Sequence, residues 1–135
     1  MDWSLACAPS IDEFAALAEA ALAALPARFR ALVGEVEMRI VEYAEDDVLD
    51  EFGLEDAFQL TGLYQGPDLT QRSTQDAINR PSALFLYRRA ILDEWCERGD
   101  VTLGELITHV LVHEIGHHFG LSDADIEAIE ERGRR

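Results

Sequence analysis

The spacing of apolar positions switches between a helical and an extended period along the chain, and those switches outline its elements. Ala15, Ala18, Leu22 and Leu25 fall on one helical stripe, which predicts an N-terminal helix with an alanine-rich face able to pack closely against a sheet. Ser10 precedes it and Glu13 follows three residues on, the residue pair of a capping box. Pro26 ends it, because proline disfavours helical backbone at the residue before it. From Glu35 to Tyr43 the pattern alternates. Val36, Met38 and Ile40 point one way and Glu37, Arg39 and Val41 the other, which predicts a strand. Asp46 to Phe52 reads as a short acidic helix or turn ended by Gly53. Phe58 to Tyr64 predicts a second strand closed by Gly66-Pro67. Gln65 to Arg80 is polar and bounded by prolines, so it reads as a loop or long excursion. Ser82 to Tyr87 predicts a third strand.

Helical spacing then takes over. Arg88 to Arg98 is amphipathic and stops at Gly99. Thr102 to Phe119 is a longer helix, with Thr102 and Glu105 as a capping pair and Gly120 at its end. Ser122 and Asp125 repeat the capping pattern and open a last helix running to about Arg132. A helix, then mostly strands, then helices reads as an α+β fold. No repeat or internal linker interrupts the order, so residues 1–135 are expected to form one domain.

Composition narrows the possible partners. Eleven Lys and Arg face 27 Asp and Glu, a formal net charge of −16. Such a surface repels phosphate backbones and anionic headgroups, which argues against nucleic acid and membrane partners. Residues 14–25 are rich in Ala and Leu, but Glu19 interrupts them and no basic residue precedes them. They match neither a signal peptide nor a membrane span. Cys7 and Cys96 lie far apart and have no metal-ligand spacing. Two free thiols in a reducing compartment is the expected state, and with it a cytoplasmic, soluble protein.

The chemistry concentrates in the long helix. Residues 113–117 read His-Glu-Ile-Gly-His. Four residues are slightly more than one helical turn, so His113 and His117 share a face and can reach one ion. Glu114 lies near the same mouth, where it can act as a general base for water polarised by the metal. The pattern arises by chance in roughly one chain of this size in a hundred or fewer. The competing reading is an exposed helix that happens to carry these residues. Leu106, Ile107, Val110, Leu111, Val112, Ile115 and Phe119 make this helix apolar nearly all round. It is therefore expected to be buried, where histidine and glutamate need partners. Gly120 would let the chain turn back and bring Asp123 to the ion as a third ligand. An acidic residue in a first helical turn has an ordinary explanation too, the helix dipole. Asp125, Glu127 and His118 stand in reserve, with His118 about 100° around from His117.

The segment His113-Glu114-Ile115-Gly116-His117-His118-Phe119-Gly120-Leu121-Ser122-Asp123 resembles the small bacterial metallopeptidase family with a minimal zincin fold. The similarity extends through the strand near Val36–Tyr43, through Leu60–Gly66 and through Leu84–Arg88. It implies a minimal zincin-like domain with a small mixed or antiparallel sheet of three to four strands. Its N-terminal helix and a C-terminal helix carrying the motif would pack on that sheet. It also implies Zn2+ as cofactor and zinc-dependent hydrolysis of peptide bonds, with a peptide or protein as substrate. One feature departs from the larger metzincins: no methionine follows the motif, since the chain has only Met1 and Met38.

Other residues have weaker claims. Glu105 and His109 precede His113 on nearly the same face and could orient a ligand. Tyr64 and Tyr87 could polarise a substrate carbonyl, or simply pack. Arg88 could bind a substrate carboxylate or pair with acidic neighbours. An extended peptide would add to an exposed strand, either Phe58–Tyr64 or Leu84–Tyr87. Two rivals to a peptidase remain open: a metal-binding or interaction module with little turnover, and a hydrolase acting on another bond.

Overall fold

In the computed structural model, which describes residues 2–34, 36–65 and 82–133, the first helix begins with its expected cap. The Glu13 N–H donates to Ser10 Oγ at 3.1 Å, and the Ser10 N–H donates back to the Glu13 carboxylate at 3.0 Å. Helix α1 spans Ile11–Ala23. It stops short of Leu25, and Pro26 opens a second helix, α2 (Ala27–Val33). Proline fits there because its fixed φ suits a helix start and no N–H is left unpaired. Phe29 and Val33, four residues apart, bury one face of α2.

Three strands follow: β1 (Glu37–Val41), β2 (Gly62–Gln65) and β3 (Ala83–Tyr87). β3 is central, parallel to β1 and antiparallel to β2. The small mixed sheet expected from the resemblance is therefore present. β3 is apolar along its whole length because both of its faces are covered. Leu84 and Leu86 join one core with Phe14, Ala18 and Leu111. Tyr87 joins a second cluster with Leu49, Leu63 and Ala90, and Phe85 packs against it.

The second strand is shorter than its sequence suggests. Ala57–Gln59 forms a single 3-10 turn, because the Asp56 carboxylate accepts the Phe58 N–H at 2.9 Å and diverts the backbone. The acidic segment forms helix α3 (Asp46–Glu51), and Gly53 after it takes a left-handed φ of 67°. The polar stretch following Gln65, with Gly66-Pro67 and Pro81, lies outside the described residues.

Helix α4 (Arg88–Arg98) leaves β3 directly. Arg88 is only 8% exposed. Its guanidinium donates to the Pro9 carbonyl at 2.6 and 2.9 Å and to the Glu42 carboxylate at 3.0 Å. These bonds tie the segment before α1 to the end of β1. Arg88 is thus occupied within the fold and is no receptor for a substrate carboxylate. Helices α5 (Leu103–His118) and α6 (Asp123–Gly133) complete the described chain. No helix among the described residues is long and apolar enough to cross a membrane. Cys7 and Cys96 are both free and exposed.

Candidate metal centre

Helix α5 lies against both α1 and β2 and buries Leu106, Ile107, Val110, Leu111, Val112 and Ile115. Its remaining stripe carries His109, His113 and His117 at four-residue spacing, so the three imidazoles climb one face. Ring centroids are 4.0 Å apart for His109–His113 and 5.6 Å for His113–His117. His118 turns the other way and packs on Tyr64, with ring centroids 4.3 Å apart.

The end of α5 directs the chain back toward this stripe. Gly120 takes a φ of 76°. Its N–H donates to the His117 carbonyl, while the Leu121 N–H donates to the Gly116 carbonyl at 2.9 Å. This pair of bonds is a Schellman motif, which needs a left-handed residue at that position. Ser122 then caps α6. Its N–H donates to the Asp125 carboxylate at 3.2 Å, and the Asp125 N–H donates to Ser122 Oγ at 3.1 Å. Asp125 is therefore committed to the cap. Glu127 is exposed. Asp123 comes to 3.8 Å from His117 Nε2, with its side chain 88% exposed.

The close seating of α6 on α5 depends on Gly116. A Cβ there would lie 2.8 and 2.9 Å from Ile126 Cγ1 and Cδ1. Ile126 is itself buried, so its side chain would have to repack within the core. Gly116→Ala is expected to cost about 1–3 kcal/mol by overpacking and to move α6, which carries Asp123. Thermal unfolding and a zinc titration of the variant check this; unchanged values for both would show that the contact is not limiting.

Glu114 occupies the other side of α5, under β2. A Cβ on Gly62 would lie 3.2 Å from Glu114 Cγ and 2.8 Å from Val110 Cγ1. The bare glycine is what lets the strand pass this close to the helix. Burial between strand and helix disfavours the charged carboxylate and raises its pKa from 4.5 to about 7. Tyr87 is buried, and its phenol is raised first by that burial and then by the negative charge of Glu114. His113 is lowered, first by burial and then by the neighbouring His109. Its imidazole is thereby held neutral, the form that ligates metal. Tyr64 and Tyr87 are both core residues, 7% and 3% exposed.

A second carboxylate, not singled out by sequence, also faces the histidine stripe. Glu130 Oε1 lies 2.9 Å from His109 Nδ1 and 3.4 Å from His113 Nε2. Ligand atoms of these three residues all fall within 4.8 Å of one another. The available signal was position: Glu130 follows Ile126 by four residues, which puts a carboxylate on the buried stripe of α6. His109 packs on the His113 ring and also faces Glu130.

The donors present suit zinc. They comprise imidazoles on one helix face, carboxylates delivered by α6, and a buried carboxylate oxygen, Glu130 Oε1, that accepts no hydrogen bond among the described residues. An α+β fold with a His-Glu-x-x-His helix packed beneath a short mixed sheet defines a zincin-like domain. The sequence model of the zincin-like metallopeptidases matches residues 33–133, and the chain belongs to that family. No match to a curated protein was found.

Proposed function

We propose that this protein is a zinc-dependent peptidase in which His113, His117 and Asp123 hold the ion and Glu114 is the general base. The observation that carries the proposal is the seating of Glu114. It is half-buried beneath β2, one residue along α5 from His113, with its pKa raised to about 7. A base with a pKa near the operating pH accepts a proton readily and returns it readily. Zinc, when bound, supplies a Lewis acid that lets water attack a carbonyl near neutral pH. Glu114 takes the proton from that water and delivers it to the leaving amine.

The substrate would be a peptide or unfolded protein segment laid along β2. β3 is flanked on both sides and cannot receive it, so of the two strands considered only the β2 region remains. Among the described residues, no strand pairs with the other edge of β2. Backbone hydrogen bonds to that edge would hold an extended chain over Glu114. Because Gly62 lacks a side chain, the peptide can be held close to the helix.

The test is digestion of an unstructured protein such as casein by tag-free, zinc-loaded protein. Cleavage should stop with 1,10-phenanthroline and return on adding zinc. A protein that stays zinc-loaded yet cleaves no member of a broad peptide library would favour a metal-binding module. Cleavage of esters alone would favour a hydrolase of another class.

A further inference from the structure

We infer that the histidine stripe of α5 offers a second cation position, made by His109, His113 and Glu130, which shares His113 with the His113–His117–Asp123 set and competes with it for one ion. Glu130 carries the inference. Its side chain is 12% exposed, and its Oε1 is buried without a hydrogen bond among the described residues. An unpaired buried carboxylate oxygen is costly. Two imidazole nitrogens lie 2.9 and 3.4 Å from it without hydrogen-bond geometry. Two imidazole nitrogens and one carboxylate oxygen, all within 4.8 Å of one another, converge on a position that a cation could bridge.

The spacing also matches. Tetrahedral zinc with bonds of 2.0–2.1 Å sets its ligand atoms roughly 3.3–3.4 Å apart. The His113–Glu130 distance of 3.4 Å meets this directly, and the His109–Glu130 distance of 2.9 Å needs only a small opening. The position is accessible from solvent. A groove of about 660 Å³ between α1 and α5 ends on His109 and Glu130.

Exclusive occupancy follows from the chemistry of one side chain. A neutral imidazole has a single unprotonated nitrogen, so His113 ligates one ion at a time. An ion at His109–His113–Glu130 withdraws His113 from His117 and Asp123, and the peptidase is then idle. In this regulatory part the inference rests on the function proposed above; the cation position itself does not.

Metal binding to tag-free variants tests both parts, read by calorimetric zinc titration and by metal content after dialysis. His117→Ala/Asp123→Ala should still bind one zinc, and adding Glu130→Gln or His109→Ala should weaken that binding by about 100-fold, the worth of one donor. His109→Ala/Glu130→Gln should also bind one zinc, through His113, His117 and Asp123, and the wild type should bind one in total. If His117→Ala/Asp123→Ala binds no zinc while His109→Ala/Glu130→Gln does, the inference fails and the proposed catalytic site stands. The reverse result keeps the cation position and removes the proposed ligand set. Two ions bound at once in the wild type would overturn the competition. Circular dichroism melts of each metal-free variant separate lost ligands from lost folding, and Glu130→Gln, nearly isosteric, serves if His109→Ala unfolds.

Discussion

Glu114→Gln should lower peptide hydrolysis by about 10²–10⁴-fold, the usual contribution of a positioned general base, and leave zinc content unchanged. The glutamine keeps the shape of the side chain between Gly62 and Val110 but cannot accept the proton. The same substitution should stabilise the metal-free protein at alkaline pH. Folding raises the Glu114 pKa from 4.5 to about 7, so between those values the folded state binds more protons than the unfolded state. Stability is then full below the unfolded value and declines as pH rises through the folded one. A gap of that size corresponds to roughly 3 kcal/mol, an upper bound because water reaches part of the carboxylate. Urea unfolding of both proteins at pH 5 and pH 8 measures this. The variant should gain on the wild type slightly at pH 5, just above the unfolded pKa, and far more at pH 8. An equal difference at both pH values would mean that burial of the charge is not the cause. Activity and stability thus pull in opposite directions at one residue, as expected where a fold buries a base to tune it.

His113→Ala should have the larger effect on metal. His113 sits between both donor groups: its ring stacks at 4.0 Å on His109, its Nε2 lies 3.4 Å from Glu130, and its ring centroid is 5.6 Å from that of His117. Every arrangement of three donors described above uses it. Zinc bound to four protein donors is worth roughly 10–16 kcal/mol, or about 3 kcal/mol and ~100-fold in affinity per donor. Losing the shared donor leaves only pairs, His117 with Asp123 or His109 with Glu130. Dialysed, tag-free His113→Ala should therefore retain less than about a tenth of the wild-type zinc at limiting metal, by that same per-donor estimate. Excess zinc, at ~100 times its dissociation constant, should raise wild-type stability by about 2.7 kcal/mol and leave the variant nearly unmoved. His118→Ala is the control, because His118 packs on Tyr64 and faces away from the stripe. It should keep its zinc and lose only packing. Equal zinc in wild type and His113→Ala would sink the metal-site reading altogether.

Local signals set much of what can be read without coordinates. Capping pairs at Ser10, Thr102 and Ser122, and glycines at 99 and 120, put the helix boundaries within a residue or two. These contacts span only three or four residues and need no tertiary partner. Period-two alternation located β1 for the same reason. His113, Glu114 and His117 were legible because a helix places residues four apart on one face whatever surrounds it. Even the return of Asp123 toward His117 was foreshadowed, since Gly120 is a local stop with one favoured exit. Wherever a residue's state depended on distant neighbours, the sequence was silent or misleading. The run Phe58–Tyr64 looked like a single strand until Asp56 capped part of it into a turn. The apolar run Ser82–Tyr87 could not say that β3 lies between two others, and so is no edge for a peptide. Arg88 could equally pair with an acidic neighbour or bind a substrate, and only the fold shows the Pro9 carbonyl and Glu42 closing on it. Glu130, seventeen residues beyond His113 in the chain, became a partner of His109 and His113 only when Gly116 let α6 lie against α5. Sequence by itself determined the helix that carries the chemistry, because its geometry is local. Which carboxylates reach that helix, and which strand lies over its base, was decided by packing between elements far apart in the chain.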